Sequence, residues 1–217
     1  MTLAPVVLAA GASRRLGHPK ALADLGGQSA LCRLLAALGG LQADTPSASE
    51  ASGRAVAERP LVITGHHDRE IRAHLQPATL DAELAFNPDW SAGRTSSVAL
   101  AARLRPGSDL LVCPVDVPLV GSALMRHLAE EWHQLGAPPL GWLAPYTCPR
   151  SGQERRYGHP LILGAKLAEQ AAALEPDTPL RVLRVRAAPL ASVESADTAI
   201  LDDLDTEADL KALRQRL

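Results

Sequence analysis

Arg15 and Lys20 stand five residues apart in Leu8-Ala-Ala-Gly11-Ala-Ser13-Arg-Arg15-Leu-Gly17-His-Pro19-Lys20, a segment made mostly of small residues. A guanidinium that forks onto oxygens and an ammonium that acts as a point charge are the cations suited to a polyphosphate. Gly11 and Gly17 permit positive φ and close backbone approach, and inward-turned amides make a concave anion site. Ala9, Ala10, Ala12 and Ser13 leave room for a nucleotide. The segment lacks both GxxxxGK[ST] and GxGxxG, so it is neither a Walker A loop nor a dinucleotide fingerprint. Alone it also reads as a Gly/Ala turn with solvated arginines. The apolar run Leu3–Ala9, which leads into it, argues for the anion cradle.

Two acidic positions add metal chemistry. In Leu110–Asp116, LLVCPVD, a buried strand delivers Asp116 to its carboxyl end, and Pro118 then stops regular pairing. A carboxylate there suits Mg²⁺, which favours oxygen ligands shared with phosphates, although a turn aspartate before proline has the same appearance. Asp202, Asp203, Asp205 and Asp209 crowd eight positions near the end of the chain. By themselves they read as a helix start whose acids complement the dipole. No spacing shows that Asp116 and Asp205 meet.

Asn87-Pro88-Asp89-Trp90-Ser91-Ala92-Gly93-Arg94-Thr95-Ser96-Ser97 precedes a helix. Its first amides, with the Ser96 and Ser97 hydroxyls, suit a ribose or phosphate, and equally a plain serine cap. Tyr157-Gly158-His159-Pro160 offers a histidine for an acceptor, though a lone histidine is more often structural. His66, His67 and His74 have no Cys or acidic residue to complete a zinc set.

The elements that must position these groups follow from hydrophobic pattern. Strands are expected at Leu3–Ala9, Leu61–Thr64, Ala82–Phe86, Asp109–Cys113, Leu140–Ala144, Pro160–Leu163, Leu180–Val185 and Ala199–Leu201. Helices are expected at Ser29–Leu38, about His67 to Leu75, Ser96–Leu104, Gly121–Leu135, Ala165–Leu174 and Thr206–Leu217, the last capped by Thr206 or Asp205. Gln42–Arg59, rich in Ala, Ser, Glu, Gly and Pro, reads as a mobile surface insertion. Alternating strands and helices imply βαβ units with a mostly parallel sheet, in one domain over residues 1–217. Ligands then bind beyond the strand carboxyl ends, beside a switch in strand order.

Bulk composition narrows the partners. A formal charge of −2 over 217 residues gives no footprint for nucleic acid or an anionic membrane, so any anion must be held locally. No apolar stretch approaches the roughly 20 residues of a membrane span, and the N-terminal run lacks the order of a signal peptide. Cys32, Cys113 and Cys148 are odd in number and far apart, which favours a reduced cytoplasmic protein. Aromatic residues make up only 3%, so base stacking is not expected to dominate binding.

The quoted loop resembles the signature LAAGxSxRxGxPK of the MobA-like NTP transferase family. Asp116-Val-Pro118 resembles the family's Asp-x-Pro, Asn87–Ser97 its N-P-x-W-x-x-G-x-x-S-S, Gly158-His-Pro160 its Gly-His-Pro, and Asp203–Leu210 its closing Asp-x-Asp-Thr-Pro-Glu-Asp-Leu. Glu207 stands where the family often has Pro, and the 42–59 segment lies outside the likeness. The resemblance implies a three-layer α/β/α, Rossmann-like nucleotidyltransferase fold. It implies that Asp116 and Asp205, with Asp203 in reserve, bind Mg²⁺. Arg15, Lys20 and Asp116 would act in catalysis, and Leu8–Gly11, Ser13, Gly17, Gly93, Ser96 and Ser97 would join Arg15 and Lys20 in holding the nucleotide. Arg94 and His159 would face the acceptor. Ala10 beside Gly11 resembles the molybdenum cofactor cytidylyltransferases, where the guanylyltransferase branch has Ala-Gly-Gly. The expected reaction is therefore CMP transfer from CTP to molybdopterin, with a molybdoenzyme as downstream partner. The alternatives are the same chemistry on a sugar, polyol or isoprenoid phosphate, and a non-catalytic cofactor chaperone. Arg94, three residues before Ser97, resembles the polyol and isoprenoid cytidylyltransferases.

Overall fold

A computed structural model describes residues 2–43, 56–75, 81–148, 154–175 and 177–217. The strands are β1 (Thr2–Ala9), β2 (Asp24–Leu25), β3 (Gln28–Ser29), β4 (Val56–Ala57), β5 (Leu61–Thr64), β6 (Glu83–Phe86), β7 (Asp109–Pro114), β8 (Trp142–Thr147), β9 (Arg156–Tyr157), β10 (Leu161–Leu163) and β11 (Leu190–Glu194). The α-helices are α1 (Ala30–Ala43), α2 (Asp68–Leu75), α3 (Arg94–Leu104), α4 (Ser122–Gln134), α5 (Ala165–Glu169) and α6 (Glu207–Arg214).

One sheet runs in the order β11-β8-β10-β7-β1-β5-β6, with β4 added to β1 and β9 to β8. β1 pairs parallel with β5, β7 and β4, while β10 lies antiparallel between β7 and β8. The sheet is thus mixed and mostly parallel. β1 and β7 are near-continuous apolar runs because helices cover both their faces. Leu3 and Val7 of β1 and Leu111 of β7 pack on one side with Leu34 of α1, Ile71 of α2 and Met125 of α4. Val6, Leu8 and Val112 face the other side, against Val98 of α3 and Leu167 of α5. This alternation gives three layers, and Leu31, Leu34, Leu35 and Leu38 are all buried, as their spacing requires.

The chain leaves β1 for β5 and β6 on one side, then returns to β7 on the other. The order therefore reverses at β1, and a crevice opens beyond the carboxyl ends of β1 and β7. A smaller cluster joins Leu16 of the glycine-rich loop to Leu204, Leu210 and Leu213. It seats α6 against the loop.

Several sequence expectations need correction. Leu180–Val185 is not a strand: Leu180–Arg186 is a 3₁₀-helix, with Leu180 and Leu183 buried. Thr198–Leu201 is also 3₁₀, while the late strand is β11, which pairs with β8. The Ala165–Leu174 helix ends early as α5 and continues as a 3₁₀ turn, Gln170–Ala173. In the Gln42–Arg59 segment, residues 44–55 lie outside the described residues. Its first two residues continue α1, and Val56–Ala57 pairs with β1, so its ends belong to regular structure.

Candidate active site

The glycine-rich loop leaves β1 and folds on itself. The Ser13 carbonyl accepts from the amides of Leu16 and Gly17 at 3.1 Å each, and the Ser13 hydroxyl accepts from the Lys20 amide at 3.0 Å. Gly17 takes φ 81°, as its type allows, but the other left-handed position is Ser13 at φ 51°, not Gly11. A Cβ on Gly11 would meet no atom within 4 Å, so neither conformation nor internal packing requires glycine there. Its space opens into the crevice. Among the described residues, the amides of residues 11–15 meet no acceptor, which leaves donors for an anion.

Packing elsewhere holds this loop. A Cβ on Gly65 would lie 2.5 Å from the Ala10 carbonyl oxygen, and the His66 amide donates to that same oxygen at 3.0 Å. The Leu204 amide donates to the Asp116 carbonyl at 2.8 Å, which ties the C-terminal segment to the turn after β7. Asp205 is fixed from below: the Asp209 carboxylate accepts from the amides of Asp205 and Thr206 at 3.1 and 2.8 Å. The Thr206 hydroxyl accepts from the Asp209 amide, completing a capping box, so Thr206 rather than Asp205 is the cap of α6. Glu207, the departure from the family pattern, meets the His18 ring at 3.1 Å.

These contacts bring Asp116 and Asp205 together. The Lys20 ammonium bonds the Asp205 carboxylate and lies 4.0 Å from that of Asp116. Arg15 also bonds Asp205, and Arg94 reaches Asp116 at 3.2 Å. Burial raises the Asp205 carboxyl, but the Lys20 hydrogen bond and charge, with Arg15, outweigh it and hold Asp205 below the usual carboxylate range. Burial raises the Asp203 carboxyl, and the charges of Asp205 and Asp116 push it further. Asp203 thus lies near both acids.

An open cleft of about 390 Å³ lies over this cluster, within the size range of small-ligand sites. Its lining includes Leu8–Gly11, Ser13, Arg15, Lys20, Gly93, Arg94, Ser97, Asp116 and Asp205. Two residues expected at the nucleotide are placed otherwise. Gly17 makes the loop's turn without lining the cleft. The Ser96 hydroxyl donates to the carbonyls of Gly93 and Asp89 and accepts from Asn87, so it braces the start of α3. Sequence reasoning missed His67, Ile71 and Trp90, which also line the cleft. The His67 Nε2 lies 3.3 Å from the Ala12 carbonyl oxygen, and His66 packs edge-on to Trp90 with ring centroids 4.8 Å apart. The N-P-D-W motif carried a signal for Trp90; nothing local marks His67.

His159 lies in a second cleft, of about 530 Å³, and Arg94 is the one residue among those described that lines both. Gly158 is glycine because a Cβ would lie 2.1 Å from the Ile200 carbonyl oxygen, and that oxygen also accepts from the His159 amide at 3.0 Å. The His159 Nε2 lies 3.4 Å from Arg94, and its Nδ1 is buried without a partner. Burial, then the Arg94 charge, lowers its pKa to about 4 against the opposing pull of Asp116, so the ring is neutral at neutral pH.

The residues fit a divalent cation. Asp116 Oδ1 is buried with no hydrogen-bond partner, which is costly unless a donor or cation arrives. Among the described residues, no group of three or more His, Cys, Asp or Glu forms a complete metal set. Mg²⁺ does not need one, because it is held by one or two carboxylates plus substrate phosphates.

Comparisons with known proteins bear on family and fold. The MobA-like NTP transferase domain matches residues 5–190. No curated protein matches the chain. Solved structures do. Rv0371c in complex with manganese, from Mycobacterium tuberculosis H37Rv, has a TM-score of 0.67 at 18% identity, covering 99% of both chains. The 2-C-methyl-D-erythritol 4-phosphate cytidylyltransferase of Thermus thermophilus has a TM-score of 0.68 at 19% identity, covering 100% of this chain and 98% of that one. Molybdopterin-guanine dinucleotide biosynthesis protein A of Archaeoglobus fulgidus has a TM-score of 0.67 at 17% identity, with the same coverage. Identities this low speak for the fold alone. Among the described residues, no helix is long and apolar enough to cross a membrane. With the family pattern spanning residues 5–190, the chain belongs to the MobA-like NTP transferase family and is a nucleotidyltransferase.

Proposed function

We propose that this protein transfers a CMP moiety from CTP to a phosphate-bearing acceptor, molybdopterin foremost, and releases pyrophosphate. The observation that carries the reading is the junction at Arg94. There a cleft lined by the glycine-rich loop, Asp116 and Asp205 meets a second, cation-lined cleft. A phosphate monoester is itself a nucleophile, so the acceptor needs no side-chain nucleophile. Its oxygen bonds to the α-phosphorus of CTP, the bond from that phosphorus to the β-phosphate oxygen breaks, and the electron pair leaves with pyrophosphate. The protein supplies positioning and charge neutralisation.

Leu8–Gly11, Ser13, Gly93 and Ser97 enclose the nucleotide, with Gly17 and Ser96 shaping the turns beneath it. Arg15 and Lys20, now on Asp205, exchange that carboxylate for phosphate oxygens as the triphosphate enters. Asp116 and Asp205 hold Mg²⁺, with Asp203 beside them. When bound, the ion neutralises charge on the phosphates and polarises the reacting phosphoryl group. Arg94 and His159 position the acceptor phosphate. A neutral His159 adds no cation that would compete with Arg94 for Asp116. Ala10 beside Gly11 supports CTP over GTP. The paired acids support catalysis over a non-catalytic chaperone, because binding alone does not need them. We place the activity in the cytoplasm, ahead of a molybdoenzyme and without nucleic acid or membrane as partner.

A second reading keeps the chemistry and changes the acceptor to a sugar, polyol or isoprenoid phosphate, and it draws on Arg94 lining the second cleft. Pyrophosphate release measured for the four NTPs against molybdopterin and a panel of sugar and polyol phosphates tests both. Release with CTP and molybdopterin is expected. Release only with a sugar or polyol phosphate would establish the second reading. No release with any pair would overturn transfer itself.

A further inference from the structure

The second cleft takes its charge from an unusual source. Leu180–Arg186, LRVLRVR, repeats every three residues, which is the period of the 3₁₀-helix it forms. Leu180 and Leu183 are buried in the core. Arg181 and Arg184, one position on, share the next face and line the cleft. Val182 and Val185 are left on the third face, and Val185 is 85% exposed. Arg155 and Arg94 complete a lining that, among the described residues, contains no Asp or Glu.

Arg94 is paired with Asp116, but among the described residues the other three arginines have no acidic partner of their own. Arg155 stacks over Tyr146 at 4.4 Å from the ring centroid, and Arg184 over Tyr157 at 5.5 Å. Among the described residues, Arg155, Arg181 and Arg184 make no ion pair with a carboxylate. Like charges held in one concavity repel. In a chain whose formal net charge is −2, such a cluster is local and not part of a general basic surface. A single phosphate reaching Arg94 would leave Arg155, Arg181 and Arg184 unmatched. Because buried leucines anchor the 3₁₀-helix, its two arginines are pre-organised, and little ordering cost opposes binding.

We infer that the acceptor is a phosphate monoester carrying a second anionic group, such as a thiolate, a carboxylate or another phosphate, and that Arg181 and Arg184 receive that group. The inference rests on the transfer reading for the identity of the cleft as the acceptor site. The test uses the full chain, calorimetric titration, and three probes: glycerol 3-phosphate, 3-phosphoglycerate and 2,3-bisphosphoglycerate. Each adds anionic charge to the same three-carbon frame. Wild-type protein should bind 2,3-bisphosphoglycerate at least about tenfold tighter than glycerol 3-phosphate, with 3-phosphoglycerate between them. In R181Q/R184Q the three affinities should converge to within about twofold, while CTP affinity moves less than that. Both side chains are exposed, so the variant should fold, and an unchanged CTP affinity verifies it. Equal binding of the probes, no binding of any, or discrimination that survives R181Q/R184Q would overturn the inference. The two readings fail separately. Loss of all pyrophosphate release with discrimination intact would sink transfer alone, whereas transfer to singly anionic acceptors without discrimination would sink this inference alone.

Discussion

The two clefts that meet at Arg94 handle charge in opposite ways. In the first, cations and carboxylates are interleaved: Lys20 bridges toward both acids, Arg15 bonds Asp205 and Arg94 bonds Asp116. In the second, Arg155, Arg181 and Arg184 face the cavity with no acid in its lining. The first cleft suits a ligand that arrives with its own metal, because phosphates can take the cations while the freed carboxylates take the ion. The second suits an anion arriving alone. A reaction that joins a metal-bound triphosphate to a phosphate acceptor needs both kinds of cleft, side by side.

The sharpest way to break this comparison is Asp116→Ala. Pyrophosphate release should fall about 10³-fold or more at saturating Mg²⁺, while 2,3-bisphosphoglycerate binding in the second cleft persists. Wild-type turnover would show that the first cleft's acids are structural. Lys20→Met keeps both acids but removes the cation between them. The rate of pyrophosphate release should drop about 10²-fold, with the fold retained by circular dichroism.

A third test separates the two ends of β7. Asp116 follows its carboxyl end, and Asp109 begins it. Asp109 accepts from the Trp132 indole and from the Ala165 amide, each at 2.9 Å. Burial raises its pKa, with those two bonds opposing. Asp109→Ala should lower unfolding free energy by about 2–3 kcal/mol in urea, because two buried donors lose their acceptor. The same change should leave the turnover of folded protein near wild type. A large loss of turnover with normal stability would reverse the roles assigned to the two aspartates.

The last test concerns His159. Its folded pKa of about 4 lies below the unfolded value near 6.5. The unfolded chain therefore binds more protons between these values, and stability rises with pH there. This contribution is present above about pH 6.5 and is lost as pH falls toward 4, on the order of 3 kcal/mol in all. Urea midpoints measured from pH 7.5 to 4.5 should flatten in His159→Gln. An identical slope in wild type and variant would place the acid sensitivity elsewhere.

Much of this was legible in the sequence, for reasons specific to each element. β1 and β7 are buried on both faces, so their apolar runs stood out, and the glycine-rich loop and Asp116 sit directly beyond them. Asp116 and Asp205 are 89 residues apart, and their meeting depends on the Leu204 amide reaching the Asp116 carbonyl and on Leu16 packing with Leu204. No local pattern encodes those contacts. Ser13 took the left-handed conformation expected of Gly11, since the turn falls two residues later than the motif suggests. The LRVLRVR segment was legible in principle. Its valines favour a strand, but its period is three, and the period decided the outcome.

The central claim is that Asp116 and Asp205 meet over the loop to serve metal-assisted nucleotidyl transfer. Pyrophosphate release from CTP, with a phosphate acceptor, by wild-type protein stripped with EDTA and then titrated with Mg²⁺, tests it most directly. Release should vanish in EDTA and return with Mg²⁺, and Asp205→Ala should raise the Mg²⁺ concentration needed for half-maximal release by about tenfold or more. Undiminished release in EDTA, or a Mg²⁺ requirement unmoved by Asp205→Ala, would contradict the claim.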